Sequence, residues 1–265
     1  MIINFHCHIF PDAMAKKTID YIISYAKTTA YTDGTAAGLL ADMKENNVDK
    51  CVTLSVVTNP KSTWKINEFL SQAGENEGLL PFGGIHPDNE DYEEILDDIV
   101  SRGFKGIKLH PQYQKTDVCD EKYIRIVKAA ARRNLIVLFH GGLDVGLPGL
   151  DFSAPSHTAR LLDAVPEAKV VMAHFGGWKQ WDEVERLLVG RNVYFDISTS
   201  LTDDVITPEQ AARIIRNHGS DKILFATDSP WSSTADTIRR VNALDITEED
   251  KENIFHRSAE ALLGI

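Results

Sequence analysis

The sequence carries no excess of positive charge. Its formal net charge is −11 over 265 residues, spread along the chain. Nucleic-acid binding wants a basic face, and none is present; a net negative surface mainly favours solubility. No apolar run approaches the roughly 18 residues that a membrane span needs. The first residues show no basic segment followed by an apolar core, so no secretion signal is read there. Cysteine is scarce: Cys7, Cys51 and Cys119 form an odd set without close spacing. That excludes a disulfide framework and a CxxC metal knuckle. Together these absences describe a soluble cytoplasmic protein with reduced thiols and no nucleic-acid or membrane partner. Cys7 and Cys51 lie in apolar strand candidates and are expected to be inert core residues. A phosphate-cradling GxGxxG after the first strand is also missing, which removes the main signal for an open dinucleotide-binding sheet.

What is present is regular alternation. Eight short apolar runs read as strands: Met1–His8, Asp49–Val57, Leu79–His86, Phe104–His110, Leu135–His140, Lys169–His174, Val193–Ser198 and Ile223–Asp228. Helical stretches lie between each consecutive pair. The run from Glu121 to Arg133 has the basic C-terminal end that the macrodipole favours, and Ala154–Ala164 has Pro155 in its first turn. The strands are apolar on both faces, as buried parallel strands are. Strand and helix alternating over this length argue for a parallel sheet with right-handed crossovers. Eight repeats in about 250 residues suggest one closed (β/α)₈ barrel domain over residues 1–265. The interval from Phe10 to Val48 is too long for one helix, so an extra helix is expected between the first two strands.

The chemistry gathers at the strand ends. In Asn4-Phe5-His6-Cys7-His8, His6 and His8 share one face of a strand, and Cys7 takes the other. Two neutral imidazoles at that spacing can hold one metal ion. His86, His110, His140, His174 and Asp228 each end a later strand candidate. In a barrel those ends converge on one mouth, where such folds do their chemistry. Only His157, His218 and His256 lie elsewhere. Closure places Asp228 beside His6 and His8, and His140 lies across the mouth within reach. Nitrogen and carboxylate ligation of this kind suits zinc, with iron or manganese as alternatives. The water such an ion holds becomes a nucleophile near neutral pH. Asp228 is placed to take its proton. His174, read as lying across the mouth, is placed to act on a substrate oxygen.

The segments FHCHIFPD, LFHGG, MAHFGGW and ATDSPW resemble motifs of the amidohydrolase superfamily. More narrowly they resemble the branch containing aminocarboxymuconate-semialdehyde decarboxylase and related acid decarboxylases and hydrolases. The resemblance runs from the first strand to the eighth. It implies the same barrel, a metal bound by His6, His8, His140 and Asp228, and His174 as a catalytic histidine or a ligand of a second metal. Lys108 shares a face with His110, and the resemblance offers it as the carboxylated lysine that bridges two metals in binuclear members. Other readings of Lys108 are a contact to a substrate carboxylate, a pair with Asp228, or an amine held by backbone carbonyls near the barrel base. His86 and His110 divide between ligand contact and structural hydrogen bonding.

The remaining mouth candidates lie in loops. Trp178 and Trp231 are placed to wall a pocket, and Gln112 and Tyr113 follow the fourth strand. Trp181 is read as packing. The stretch Leu143–Ser153 is long enough to form a lid, with Asp144 and Asp151 solvated or capping. The preferred reading is a metal-dependent hydrolase of a small amide, ester or lactone. Arginines fall mostly on helices, so only Lys108 offers a cation for a carboxylate, which weighs against decarboxylation. The alternatives are a non-oxidative decarboxylase of an aromatic or unsaturated acid and a metal-binding barrel without turnover. The oligomeric state is left open, a homo-oligomer included.

Overall fold

The chain is described by a computed structural model over residues 1–202 and 205–265. Among the described residues nine parallel strand segments are formed: β1 Ile3–His8, β2 Lys50–Leu54, β3 Leu79–Pro81, β4 Gly83–Gly84, β5 Gly106–Leu109, β6 Ile136–Phe139, β7 Lys169–Met172, β8 Tyr194–Asp196 and β9 Ile223–Leu224. They pair in the order β1-β2-β3 and β4-β5-β6-β7-β8-β9. β3 and β4 are one barrel strand interrupted at Phe82, whose N–H still reaches Thr53 O at 2.9 Å. The ring closes where Phe5 N–H donates to Phe225 O at 2.8 Å and Cys7 bridges Ser229. The fold is a (β/α)₈ barrel, as the alternation predicts.

The helices also fall as expected. Both α1 (Asp12–Ala26) and α2 (Ala36–Asn46) lie between β1 and β2. Helices α3 (Thr63–Ala73) and α4 (Tyr92–Ser101) follow. The short α5 (Pro111–Gln114) precedes α6 (Glu121–Arg132), and α7 (Pro155–Ala164), α8 (Trp181–Leu187) and α9 (Pro208–His218) complete the crossovers. Helices α10 (Thr234–Ala243), α11 (Glu248–Glu252) and α12 (Ser258–Leu263) end the chain. Side-chain caps set several starts: Thr35 accepts from Gly38 N, and Thr207 from Gln210 N just before Pro208. Such caps satisfy N–H groups that the first turn leaves unpaired. No helix among the described residues is long and apolar enough to cross a membrane.

Alternation sorts the strand residues into two layers. Ile136 and Leu138, Val171 and Ala173, and Leu224 and Ala226 fill the barrel interior with Ile3, Phe5, Val52 and Leu54; Leu262 and Leu263 of α12 pack against this cluster. The intervening Val137, Phe139, Val170, Met172 and Phe225 face the helices. Cys7 and Cys51 are free and buried in a smaller outer cluster with Leu39 and Met43. The observed strands are shorter than the apolar runs, so most mouth residues stand one to four positions beyond them.

A bulge decides where the first histidines point. Asn4 pairs with Cys51 but Cys7 pairs with Thr53, so β1 carries one extra residue between them. Before the bulge Ile3 and Phe5 fill the interior. After it the phase is inverted: His6 and His8 turn to the mouth and Cys7 turns outward. A bulge re-aims side chains in this way.

Candidate metal centre at the barrel mouth

Each functional side chain is delivered by a strand end. His140 continues the inward phase of Ile136 and Leu138, and Asp228 that of Leu224 and Ala226. Lys108 and His110 share the inward face of β5, with Ile107 and Leu109 outward. His174 is different. Its neighbour Ala173 already points inward, so simple alternation would send His174 out. Instead His174 and Phe175 take left-handed backbone, φ 60° and 53°. For residues other than glycine that conformation costs of order 1–3 kcal/mol and persists only where surroundings hold it. The holding groups are on β8 and just beyond. Asp196 Oδ1 accepts from His174 N–H at 3.2 Å, and Asp196 O accepts from Phe175 N–H at 2.7 Å. Asp228 also has positive φ, 62°, and its carbonyl accepts from Trp231 N–H at 2.8 Å.

Four imidazoles have their outer nitrogen committed to an acceptor. His6 Nδ1 lies 2.9 Å from Asp196 Oδ2, and His8 Nδ1 lies 3.1 Å from Leu54 O. His174 Nδ1 is 2.9 Å from Ser198 O, and His140 Nε2 is 3.1 Å from Leu143 O. A carbonyl or ionised carboxylate only accepts, so each of these nitrogens carries the proton. The opposite nitrogens, His6 Nε2, His8 Nε2, His174 Nε2 and His140 Nδ1, are therefore left with lone pairs. They face one another. His6 Nε2 and His8 Nε2 are 3.2 Å apart, and His174 Nε2 and His140 Nδ1 are 3.0 Å apart. The His6 and His174 rings stack at 5.7 Å. Asp228 Oδ1 adds a carboxylate oxygen 3.3 Å from His6 Nε2 and 3.0 Å from His8 Nε2. Lone pairs in contact repel unless a proton or a cation stands between them. The donor set fits a divalent ion.

The electrostatics agree. Burial lowers His6 to about 4, with Lys108 adding to the effect against Asp196 and Asp228. Burial also holds His110 and His140 well below the ordinary imidazole value, helped by His140 and His174 respectively. Neutral imidazoles keep the lone pairs that a metal needs. Burial alone would raise Asp228, but His6, His8 and His174 outweigh it and hold this carboxyl well below the usual range. Asp196 behaves likewise: burial pushes it up, and His6, His174 and Ser198 pull it further down.

Lys108 sits within this cluster at 1% exposure. Its Nζ is 3.4 Å from His6 Nε2, and no backbone carbonyl holds it among the described residues. The reading of a lysine tied to the barrel base is therefore not what forms. Burial brings the amine down to about 8, with Asp196, Asp228 and Asp144 limiting the drop.

His6, His8 and Asp228 offer ligand atoms within 4.8 Å of one another, and His110, His140 and Asp144 form a second such group. His140 thus joins the first group through His174 rather than directly. His174 is not across the mouth: it stands in the same cluster as His6 and His140. Asp144 takes the capping role, one of the two expected of it, and also reaches the mouth. Its Oδ1 accepts from Gly146 N–H at 2.7 Å. Its Oδ2 lies inside the mouth, 3.5 Å from His110 Nε2. His110 stacks on His140 at 4.3 Å, with Tyr113 edge-on at 4.5 Å.

The outer candidates divide. Trp178 ties two loops together: its N–H reaches Gly141 O at 2.9 Å, and its carbonyl accepts from Leu143 N–H at 3.2 Å. Gln112 Nε2 donates to Gly142 O at 2.6 Å and Ser153 Oγ at 2.9 Å, pinning both ends of the Leu143–Ser153 loop. Trp231 closes the turn on Asp228 with its backbone, and its side chain is half-buried. Trp181 is buried, as expected of packing, and its Nε1–H also holds His174 O at 3.1 Å. His86 stands apart from the cluster, its Nδ1 accepting from Asp88 N–H at 3.1 Å. Asp151 accepts from Gln180 Nε2 at 2.7 Å. Sequence reasoning missed Asp196 and Ser198. The signal was there in Val193–Ser198: alternation with Phe195 and Ile197 outward sends a carboxylate and a hydroxyl inward. Ser198 Oγ donates to Asp196 Oδ1.

A barrel with histidines and a carboxylate converging on one mouth defines a metal-dependent enzyme class. The family model described as Amidohydrolase, of the amidohydrolase-2 type, matches residues 3–265, and the chain belongs to that family. No curated protein matches the chain in sequence. Among solved structures, an uncharacterised barrel protein from Bordetella bronchiseptica superposes with TM-score 0.81 at 18% identity, covering 99% of this chain and 98% of that one. A 2,6-dihydroxybenzoate decarboxylase from Rhizobium gives TM-score 0.73 at 15% identity, covering 99% and 98%. A 5-carboxyvanillate decarboxylase from Novosphingobium aromaticivorans, complexed with manganese and a nitrobenzoic acid, gives 0.76 at 17%, covering 100% and 96%. At these identities the likeness is one of fold.

Proposed function

We propose that this chain is a divalent-metal-dependent enzyme that removes CO₂ non-oxidatively from a small aromatic or unsaturated carboxylic acid. The observation that carries the reading is Lys108, a buried cation 3.4 Å from His6 Nε2 inside the candidate metal centre. From the residues alone decarboxylation ranks second, because Lys108 is the single cation placed to meet a carboxylate. A buried ammonium amid imidazole lone pairs changes that weighting, since a charged group in low dielectric calls for a counter-charge. The solved structures named as decarboxylases of hydroxylated benzoic acids support the same choice.

His6, His8, His140, His174 and Asp228 would hold the metal. Such an ion supplies Lewis acidity at a substrate oxygen. Nitrogen-rich ligation suits zinc, and the manganese in one solved neighbour makes manganese the other ion to test. Lys108 orients the carboxylate. Asp196 fixes His6 through Nδ1 and His174 through its backbone. The reaction exchanges the C–C bond to the carboxylate for a C–H bond: CO₂ leaves, and the electron pair left on carbon takes a proton that originates in solvent water. Asp228 Oδ1 is the group placed to relay it. The Leu143–Ser153 loop, with Asp144 against His110, limits water at the mouth.

Hydrolysis of an amide, ester or lactone is the second reading. It is favoured by Asp228 itself, an ionised carboxylate beside the lone-pair nitrogens and able to accept a proton from water. The experiment is a substrate panel with zinc- and manganese-loaded protein, following CO₂ release from hydroxybenzoic acids and ring opening or cleavage of lactones and amides. Metal-dependent CO₂ release is expected. Hydrolysis with no CO₂ from any acid overturns the decarboxylase reading.

A further inference from the structure

Tyr113 has two sides. One packs edge-on against His110 at the mouth. The other lines a cavity of about 390 Å³ shared with Thr58, Asn59, His86, Lys115 and Lys122. The cavity is rich in donors. His86 is 5% exposed, and its Nδ1 accepts from Asp88 N–H at 3.1 Å. The proton of its neutral ring is therefore on Nε2, and this N–H has no hydrogen-bond partner among the described residues. Burial holds His86 below the ordinary imidazole value, Asp88 and Lys122 pulling in opposite directions, so the ring is a neutral donor near pH 7. That N–H is open to water or to a ligand entering the cavity.

The charges point the same way. Lys115 ends α5 in left-handed backbone, φ 52°. Its ammonium has no ion-pair partner among the described residues. Lys122 is paired with Asp88 at 2.7 Å. Two lysines against one aspartate leave a single positive charge at this cavity, in a chain whose net charge is −11. A free N–H, a free ammonium and the Thr58 hydroxyl would be satisfied together by anionic oxygen, and charge-assisted bonds of that kind are the strong ones.

On the reading of the mouth as a site for a small carboxylic acid, we infer that the cavity behind Tyr113 is an anion subsite, with His86 Nε2–H and Lys115 Nζ as its donors. Its ligand is a carboxylate or phosphate group, either a second acidic group of the substrate or a free anion. Tyr113 is the wall between the acid held at the metal centre and the anion held beyond it. His86 is then a specificity residue rather than part of the metal centre.

The test uses the full metal-loaded chain and three probes: benzoate, aromatic dicarboxylates of increasing span, and inorganic phosphate. Affinity is read by calorimetry and the His86 ring signals by NMR. A dicarboxylate of matching span should bind at least about tenfold tighter than benzoate and move the His86 signals, which benzoate alone leaves in place. Lys115→Met should remove that advantage and leave benzoate binding unchanged. Phosphate moving His86 with no dicarboxylate advantage assigns the subsite to a free anion. If benzoate fails to bind while phosphate moves His86, the acid-binding reading of the mouth fails and the subsite stands. If neither phosphate nor any dicarboxylate moves His86, the subsite is overturned.

Discussion

His174 Nε2 and His140 Nδ1 stand 3.0 Å apart, and neither has a proton to offer the other. Each ring keeps its proton on the other nitrogen, which donates to an acceptor behind it, Ser198 O for His174 and Leu143 O for His140. The same holds for His6 and His8, whose inner nitrogens are 3.2 Å apart. Two such pairs beside one carboxylate make a centre shaped by what it lacks, and they set the first expectation.

Replacing His6 and His8 together by alanine should abolish stoichiometric metal, measured by elemental analysis of protein prepared without chelator. His174→Ala alone should weaken binding by on the order of 10²-fold, about 2.7 kcal/mol. Full occupancy in the double variant would place the metal elsewhere.

Asp196 acts through His6, so Asp196→Asn should leave the fold and weaken metal binding by about 10–100-fold, the range for an outer carboxylate on a ligand histidine. Metal titration with circular dichroism as a folding control checks it. An unchanged affinity would reduce Asp196 to a packing role.

Asp228→Asn keeps size and one oxygen but removes the charge that relays a proton. Metal should be largely retained while turnover falls by at least about 10²-fold, the lower end for a lost acid–base group. The comparison needs kcat and metal content on the same samples. Loss of metal in proportion to activity would make Asp228 a ligand only.

Acid should destabilise the metal-free fold well above the carboxylate range. His6 and His218 are each lowered to about 4, burial being the main cause in both. His218 shows why: Nδ1 accepts from Gly190 N–H at 3.0 Å, and Nε2–H donates to Val193 O at 2.8 Å, so a second proton breaks a bond. Between pH 6.5 and about 4 the unfolded chain binds more protons than the native one, so stability falls as pH falls. One pKa unit is worth about 1.4 kcal/mol, so each such imidazole accounts for roughly 3 kcal/mol across that window. Thermal melts from pH 7 to pH 4 should show a steady fall in Tm. A flat profile above pH 5 would contradict it.

Some of this was legible in the residues alone. Short continuous apolar runs separated by helical stretches fix a parallel α/β barrel, because each buried strand needs a helix to cover its outer face. Side-chain alternation along a strand put His6 with His8 and Lys108 with His110. It placed His140 and Asp228 at the mouth, since inward phase simply continues past the strand end. Three things needed the tertiary structure. The bulge between Asn4 and Cys7 set which face of β1 looks inward, and a bulge depends on pairing with β2, which lies beyond a stretch of some forty residues. The left-handed turn at His174 reversed the direction alternation predicts, held by an aspartate from the next strand. The protonated side of each imidazole was chosen by carbonyls and a carboxylate distant in sequence, such as Leu54 O for His8 and Asp196 for His6. Local periodicity fixes which residues arrive at the mouth. Contacts between distant segments decide which way they turn and which nitrogen they present.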